Sequence, residues 1–276
     1  MYLKRRSLLK YASLSTAGVA LGAINARPVR AAEQEFPMGD LEAHVRMRGN
    51  LHGERTYWYY QGTVFGNLWG QSTEPMLGVE GVSFSIIDLL SGGRYRYSLT
   101  EAGYYSDPGT GEISKPVRNP FTGEYYEPKN YLSPQTNIFE SDLSVTPVFK
   151  ERPPGLEYRG VISPVRTFND SVWSSEDIFV RRELENATND PGQPGFSVQT
   201  SLATFTSDRR ELLDPDLEFV PCQLNYQTLG TWRPWMGMGA QPGMISWRMV
   251  GTKCKFEDIP GHIKERIARD HEGFFG

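Results

Sequence analysis

Thr56-Tyr57-Trp58-Tyr59-Tyr60-Gln61-Gly62-Thr63-Val64-Phe65 is the stretch on which the fold turns. All but Gln61 and Gly62 are β-branched or aromatic, the residue types that pack best on a pleated, half-buried surface. The run predicts a strand. Further along, Met76 to Leu90 carries Val79, Val82, Phe84, Ile86 and Ile87, interrupted by Gly78 and Gly81. Glycine inside such a run predicts a bend or bulge, as barrel closure requires. Tyr95, Tyr97 and Leu99 alternate with Arg94, Arg96 and Ser98, the pattern of a half-buried strand. Further strands are expected over Glu157 to Thr167, Val172 to Arg182, Phe196 to Thr206, Leu217 to Tyr226 and Met244 to Gly251, with a loop at Asn189 to Gly195. On the amino-terminal side, Glu42 to Arg48 also alternates and is expected to open the strand series.

Between these strands one turn motif occurs twice. Asp107-Pro108-Gly109-Thr110-Gly111-Glu112 is echoed twelve residues later by Asn119-Pro120-Phe121-Thr122-Gly123-Glu124. Asp or Asn followed by Pro starts a type I turn, and the late Gly supplies a left-handed residue. The pair predicts two successive turns of a β-meander; a calcium loop built on Asp107 and Glu112 is the alternative, short of oxygens. Ser207 to Leu213 predicts a short capped helix ended at Asp214-Pro215. In the last segment Ile259, Ile263 and Ile267 recur every four residues, predicting an amphipathic helix. Asp258 and Pro260 should start it, Glu265 and Arg269 should pair along it, and its apolar stripe should cover a sheet edge or barrel end.

The amino terminus reads Met-Tyr-Leu-Lys-Arg-Arg-Ser-Leu-Leu-Lys, with Arg5-Arg6 followed by Ser7, Leu8 and Leu9. This is the twin-arginine export pattern. Tyr11 to Ala26 is mildly apolar and too short to span a bilayer. Small residues at 29–32 place cleavage after Ala31. The expected organisation is a signal at 1–31, a linker at 32–40 and a single β-rich domain at 41–276. The twin-arginine machinery is then a partner, and the periplasm or the exterior is the destination. The whole chain holds 29 basic and 33 acidic residues, and residues 1–31 hold six basic ones and no acid. The mature chain keeps 23 against 33, a net charge of about −10. Such an acidic body argues against nucleic acid and against an anionic membrane surface as partners. Cys222 and Cys254 are the only cysteines, and export leaves a disulfide between them open.

No GxSxG, P-loop, HExxH or dinucleotide motif is present, so no cofactor is expected. The four histidines show no metal-ligand spacing; His44 with His52 is the one conceivable cross-strand pair, and no metal is expected. Trp232, Arg233, Trp235, Met236 and Met238 lie in a loop rich in glycine. Trp and Met offer an adaptable apolar wall and Arg a carboxylate partner, so these residues, with Trp58, are the candidate ligand-binding set. A core plug is the bland alternative. Glu101, Tyr104, Tyr105 and Asp177 are the candidate catalytic residues, because a carboxylate beside tyrosines can do acid–base work. Asp107 adjoins the first cluster, and Trp173 and Glu176 the second.

The run from Trp58 to Gly66, the pair Glu80-Gly81 read as a turn, the doubled Pro-x-Thr-Gly-Glu turns and Thr231-Trp232-Arg233-Pro234-Trp235 together resemble a bacterial family called domain of unknown function 1838. The resemblance covers roughly residues 41 to 260, and twin-arginine signals are frequent in that family. It implies no activity and no catalytic residue.

The expected fold is all-β and mainly antiparallel. It is a single barrel or curved half-barrel resembling the lipocalin class, with a C-terminal amphipathic helix; a two-sheet sandwich is the alternative. Three functions fit: binding of a small apolar or aromatic molecule, cofactor-free lyase, isomerase or hydrolase chemistry on such a molecule, or a structural protein with a filled core.

Overall fold

The tyrosine-rich run forms β1 (Thr56–Leu68), a central strand. The computed structural model describes residues 36–113, 115–184, 195–239 and 241–276. The expected export signal and cleavage point, residues 32–35 of the expected linker and most of the 189–195 loop lie outside the described residues. β1 pairs antiparallel with β2 (Glu74–Leu90) on one side and with the last strand, β13 (Gly243–Cys254), on the other. From β2 the chain runs through β3 (Arg94–Ser106), a small hairpin of β4 (Val117–Arg118) and β5 (Tyr125–Tyr126), β6 (Tyr131–Phe139) and β7 (Val145–Pro147). It continues through β8 (Glu157–Ile162), β9 (Arg166–Phe168), β10 (Ser171–Glu183), β11 (Phe196–Asp208) and β12 (Gln223–Gly230) back to β13.

The strand order β7-β6-β3-β2-β1-β13-β12-β11-β10-β8 is an up-and-down circuit. It nearly closes: Ser144 bridges Val161, and the Ile162 N–H donates to the Leu143 carbonyl at 2.7 Å. Gly78 and Gly81, expected to break β2, stay in register with β1; the bulge falls instead at Met76, where the register shifts between Val64 and Phe65. An extra residue there increases the local twist that a closing sheet needs. Gly81 sits in the middle of β2 opposite Tyr60, not in a turn.

The strand expected over Glu42 to Arg48 is instead a helix, α1 (Asp40–Arg48). Leu41, Ala43, His44, Val45 and Met47 are all buried, because the helix plugs one end of the barrel. Burial nearly all round leaves no clean apolar stripe, so the short-range alternation mimics a strand. Asp40 and Glu42 at its start and Arg46 and Arg48 at its end suit the helix dipole. The Lys253 ammonium donates to the carbonyls of Arg46 (2.9 Å) and Gly49 (2.6 Å), satisfying the helix end.

The predicted short helix is α2 (Arg209–Leu213), capped by the Asp208 side chain, which accepts from the Arg210 and Glu211 N–H groups. The last helix is α3 (Gly261–Asp270). Its isoleucines cover the outer face of β1–β3, packing on Val82, Ala102, Tyr104 and Cys254, rather than an edge or an end. That face carries the outward aromatic residues Tyr57, Tyr59 and Phe84 and needs cover. Asp258 accepts from the Lys255 N–H one turn earlier, Pro260 is the cap residue, and Arg269 pairs with Asp270 instead of Glu265. Cys222 and Cys254 are free thiols: Cys222 packs with Trp58 and Phe205, Cys254 beneath α3.

Candidate functional site: a tyrosine-lined barrel cavity

Alternation along the strands decides which side chains enter the barrel. On β1 Trp58 and Tyr60 point inward; on β3 Tyr97, Leu99, Glu101 and Tyr105 do so; on β10 Glu176, Ile178 and Val180. Together with residues of β6, β8 and β11–β13 they line a cavity of about 980 Å³. The lining reaches Pro147, Val148, Pro153 and Leu156, the segment that joins β7 to β8 where the sheet is incompletely closed. The filled-core alternative is therefore set aside.

Of the candidate catalytic residues, Glu101 and Tyr105 face the cavity. Tyr104 and Asp177 do not: each lies one residue away from an inward neighbour and so points out. Tyr104 packs under α3, and Asp177 borders an outer groove with Leu202 and Arg248. Trp173 alternates outward too, while Glu176 turns in. Among the candidate ligand-binding residues, Trp58, Arg233 and Trp235 line the cavity. Trp232, Met236 and Met238 are buried in the plug at the second barrel end, where the bland reading of that loop holds.

The doubled turns explain the plug. In each copy the side-chain oxygen of Asp107 or Asn119 accepts two N–H groups of its own turn, and Gly111 and Gly123 take positive φ of 73° and 77°. The first copy lies on the surface. Its Asp107 serves its own turn and Glu112 pairs with Lys115, an arrangement unlike a calcium loop. The second is driven inward, and the Asn119 amide donates to the Met236 carbonyl at 2.9 Å and to Met238 Sδ at 3.0 Å.

At the α1 end lies a buried polar cluster absent from the candidate set. Glu176 Oε1 meets His44 Nε2 at 3.0 Å and Arg48 Nε at 2.7 Å. The Arg48 contact is an ion pair with poor N–H alignment. His44 Nδ1 is bonded to Ser174 Oγ at 2.9 Å. Both nitrogens of the buried His44 are thus engaged, whereas His52 is exposed. Among the described residues no group of three or more His, Cys, Asp or Glu is placed to hold a metal ion. The Arg48 guanidinium is sandwiched between Tyr97 and Phe205, 4.4 and 4.6 Å from their ring centres. Burial pushes the Glu176 carboxyl up, but Arg48 and His44 more than reverse this and leave it below its usual value. A helical reading of 40–48 would have shown His44 and Arg48 four residues apart on one face.

Midway along the cavity, Tyr60 and Tyr131 bring their hydroxyls within 3.0 Å of each other. Two glycines make this contact. Gly81 and Gly103 face each other across β2 and β3, and a Cβ on either would collide with the Tyr60 or the Tyr131 ring. Glu101 lines the same wall and its charge is felt by Tyr60, whose hydroxyl also donates to the Ala102 carbonyl at 3.3 Å. Burial raises its carboxyl above the usual range, against the opposing pull of Tyr60 and Arg48.

At the other end of the cavity Arg233 lies over the Trp247 ring, 5.0 Å from its centre, and donates to Gln199 Oε1 at 2.9 Å. Among the described residues no carboxylate pairs with it. Burial lowers its basicity, partly offset by Tyr105 and deepened by the like charge of Arg182.

The model of a family described as a protein of unknown function (DUF1838) matches residues 53–274 of the chain. The chain belongs to this family. No curated protein matches it. The match spans β1 to the end of α3 and thus every cavity-lining strand, but it begins after α1, which supplies Arg48 and His44.

The cavity tyrosines make an alkaline signature. Burial is the main cause that pushes Tyr97 and Tyr226 each up to about 12. An unfolded tyrosine ionises at about 10. These two therefore contribute stability that is complete below pH 10 and lost as pH rises towards 12. Tyrosinate absorbance in an alkaline titration should show cavity tyrosines silent until the protein unfolds. Smooth ionisation of all tyrosines near the unfolded value, with the fold intact, would contradict a closed, tyrosine-lined interior.

Proposed function

We propose that the barrel binds a small aromatic or apolar molecule carrying an acid group. The acid would sit on Arg233 and the ring among Trp235, Trp247, Tyr105 and Tyr226. One observation carries this reading: Arg233 is a mostly buried cation on the cavity wall that lies over Trp247 and donates to a neutral amide, with no carboxylate partner among the described residues. Unpaired buried charge is costly, and a carboxylate from a ligand removes that cost. The mixed lining, apolar rings with a few hydrogen-bonding groups, is that of small-molecule sites. The Arg5-Arg6-Ser7-Leu8-Leu9 pattern supports export, so the ligand is proposed to be met in the periplasm or outside the cell.

Native mass spectrometry of the mature protein from its own cells, followed by denaturing extraction, tests this. An acid-bearing compound should be recovered. Arg233→Met should weaken its binding by about 10–100-fold, the worth of a hydrogen bond to a charged group. A bare-chain mass, or a ligand indifferent to Arg233, would count against the reading.

A further inference from the structure

We propose that the barrel is also an enzyme, in which Glu101, Tyr60 and Tyr131 form a closed proton relay that interconverts the keto and enol forms of an aromatic 2-oxo acid. The inference rests on the ligand reading above, with Arg233 holding the carboxylate.

Four observations lead here. Glu101 is a carboxyl on the cavity wall with no ion-pair partner among the described residues; the cation that acts on it, Arg48, is already engaged by Glu176. A merely structural carboxylate in such a place would be paired. Next, Glu101, Tyr60 and Tyr131 share the cavity wall, the two hydroxyls stand 3.0 Å apart, and Glu101 and Tyr60 each influence the other's ionisation. Third, the slot for that link is purpose-shaped, because it needs glycine at both 81 and 103 on facing strands. Last, Glu101, Tyr105, Tyr226 and Arg233 all line the same cavity, so one bound molecule is exposed to both the arginine and the relay. No histidine is among the residues lining the cavity, and the buried His44 has both nitrogens engaged. The serines on the wall therefore lack the base that acyl transfer would use.

The step is a proton shift with no redox change. Glu101, as carboxylate, takes a proton from the carbon next to the ligand's carbonyl. The C–H electron pair becomes the enol double bond, and the carbonyl π pair moves onto oxygen. That oxygen takes the Tyr131 proton; Tyr131 is refilled from Tyr60, and Tyr60 from the proton just gained by Glu101. All three residues return to their starting state, and one hydrogen has moved from carbon to oxygen. The Arg233 guanidinium holds the carboxylate throughout. A carboxyl raised above its ordinary value is a stronger base for this task than a free one.

Phenylpyruvate, the simplest aromatic 2-oxo acid with an enolisable carbon, is the probe. Its binding is read by tryptophan fluorescence. Its tautomerisation is read by enol absorbance and by deuterium entering the methylene group from heavy water. Wild-type mature protein should bind it and accelerate exchange. Glu101→Gln should keep the fold and the affinity while the rate falls by about 10²–10⁴-fold. It should also abolish the acid limb of the pH–rate profile. Tyr131→Phe should slow the reaction less, and Arg233→Met should act mainly on affinity. Binding that depends on Arg233 without any acceleration overturns the relay and leaves the ligand reading standing. Acceleration that survives Glu101→Gln overturns it equally. Failure of phenylpyruvate to bind overturns the substrate class and this inference with it, while the extracted ligand separately decides the binding reading.

Discussion

Glu176→Ala should destabilise the protein by about 3–5 kcal/mol, the usual cost of leaving a buried charge without its partner. Glu176 is only 4 % exposed and holds both His44 and Arg48. The arginine cannot escape to water, because Tyr97 and Phe205 clamp its two faces. The histidine cannot turn, because Ser174 holds its other nitrogen. Alanine therefore strands two polar groups on α1, and α1 is the plug of that barrel end. Replacing the charges together, Arg48→Met with Glu176→Leu, should cost far less, since apolar side chains of similar size avoid the desolvation penalty. The effect should depend on pH. The folded carboxyl lies below its ordinary value, so its contribution is present above the unfolded value of about 4.5 and vanishes as pH falls through the folded one. Urea unfolding of wild type and variants at neutral and acid pH reads both. Equal stability of Glu176→Ala and wild type at neutral pH would show that the cluster does not hold the plug.

The second large effect contrasts the two copies of the turn motif. Asn119→Ala should cost about 2–4 kcal/mol, whereas Asp107→Ala should cost no more than about 1. Both side chains accept the same pair of N–H groups within their own turns. Only Asn119, 1 % exposed, also reaches across to Met236 and Met238. Its loss frees buried N–H groups and a carbonyl and unpins the plug at the second barrel end. Asp107 stands in water, which takes over its contacts. Thermal unfolding of the two variants side by side decides the matter; equal losses would mean that the Met236 and Met238 contacts add nothing.

That contrast also shows where sequence reasoning reaches its limit. Phe121 and Gly109 are the chief difference between the two turns, and nothing local tells which one is swallowed. Phe121 packs against Trp232 and fills the space that Gly66 leaves. The same limit applies to the candidate site. Glu101 and Asp177 looked alike as carboxylates within aromatic strands, yet one enters the barrel and the other leaves it. Strand phase is a one-residue matter, and it is fixed by which neighbours bury which face. Tyr131, Tyr226 and Arg182 went unnoticed for a different reason: each is ordinary in its own segment and gains meaning only opposite Tyr60, Glu101 or Arg233.

Most of the local structure is legible in the sequence. Aromatic and β-branched runs mark most of the strands, although Leu217 to Cys222 lies outside β12 and Glu157 to Thr167 divides into β8 and β9; Asp/Asn-Pro with a late glycine marks the turns and a four-residue isoleucine spacing the last helix, because each depends on backbone and side-chain preferences within a few residues. The tertiary structure alone decided that α1 is a helix, since its amphipathic signal disappears when nearly every face is buried. It alone placed Arg48 against Glu176, 128 positions apart, and joined Tyr60 to Tyr131 over paired glycines. Those contacts arise from the closing of the barrel, a global event that no window of neighbouring residues encodes.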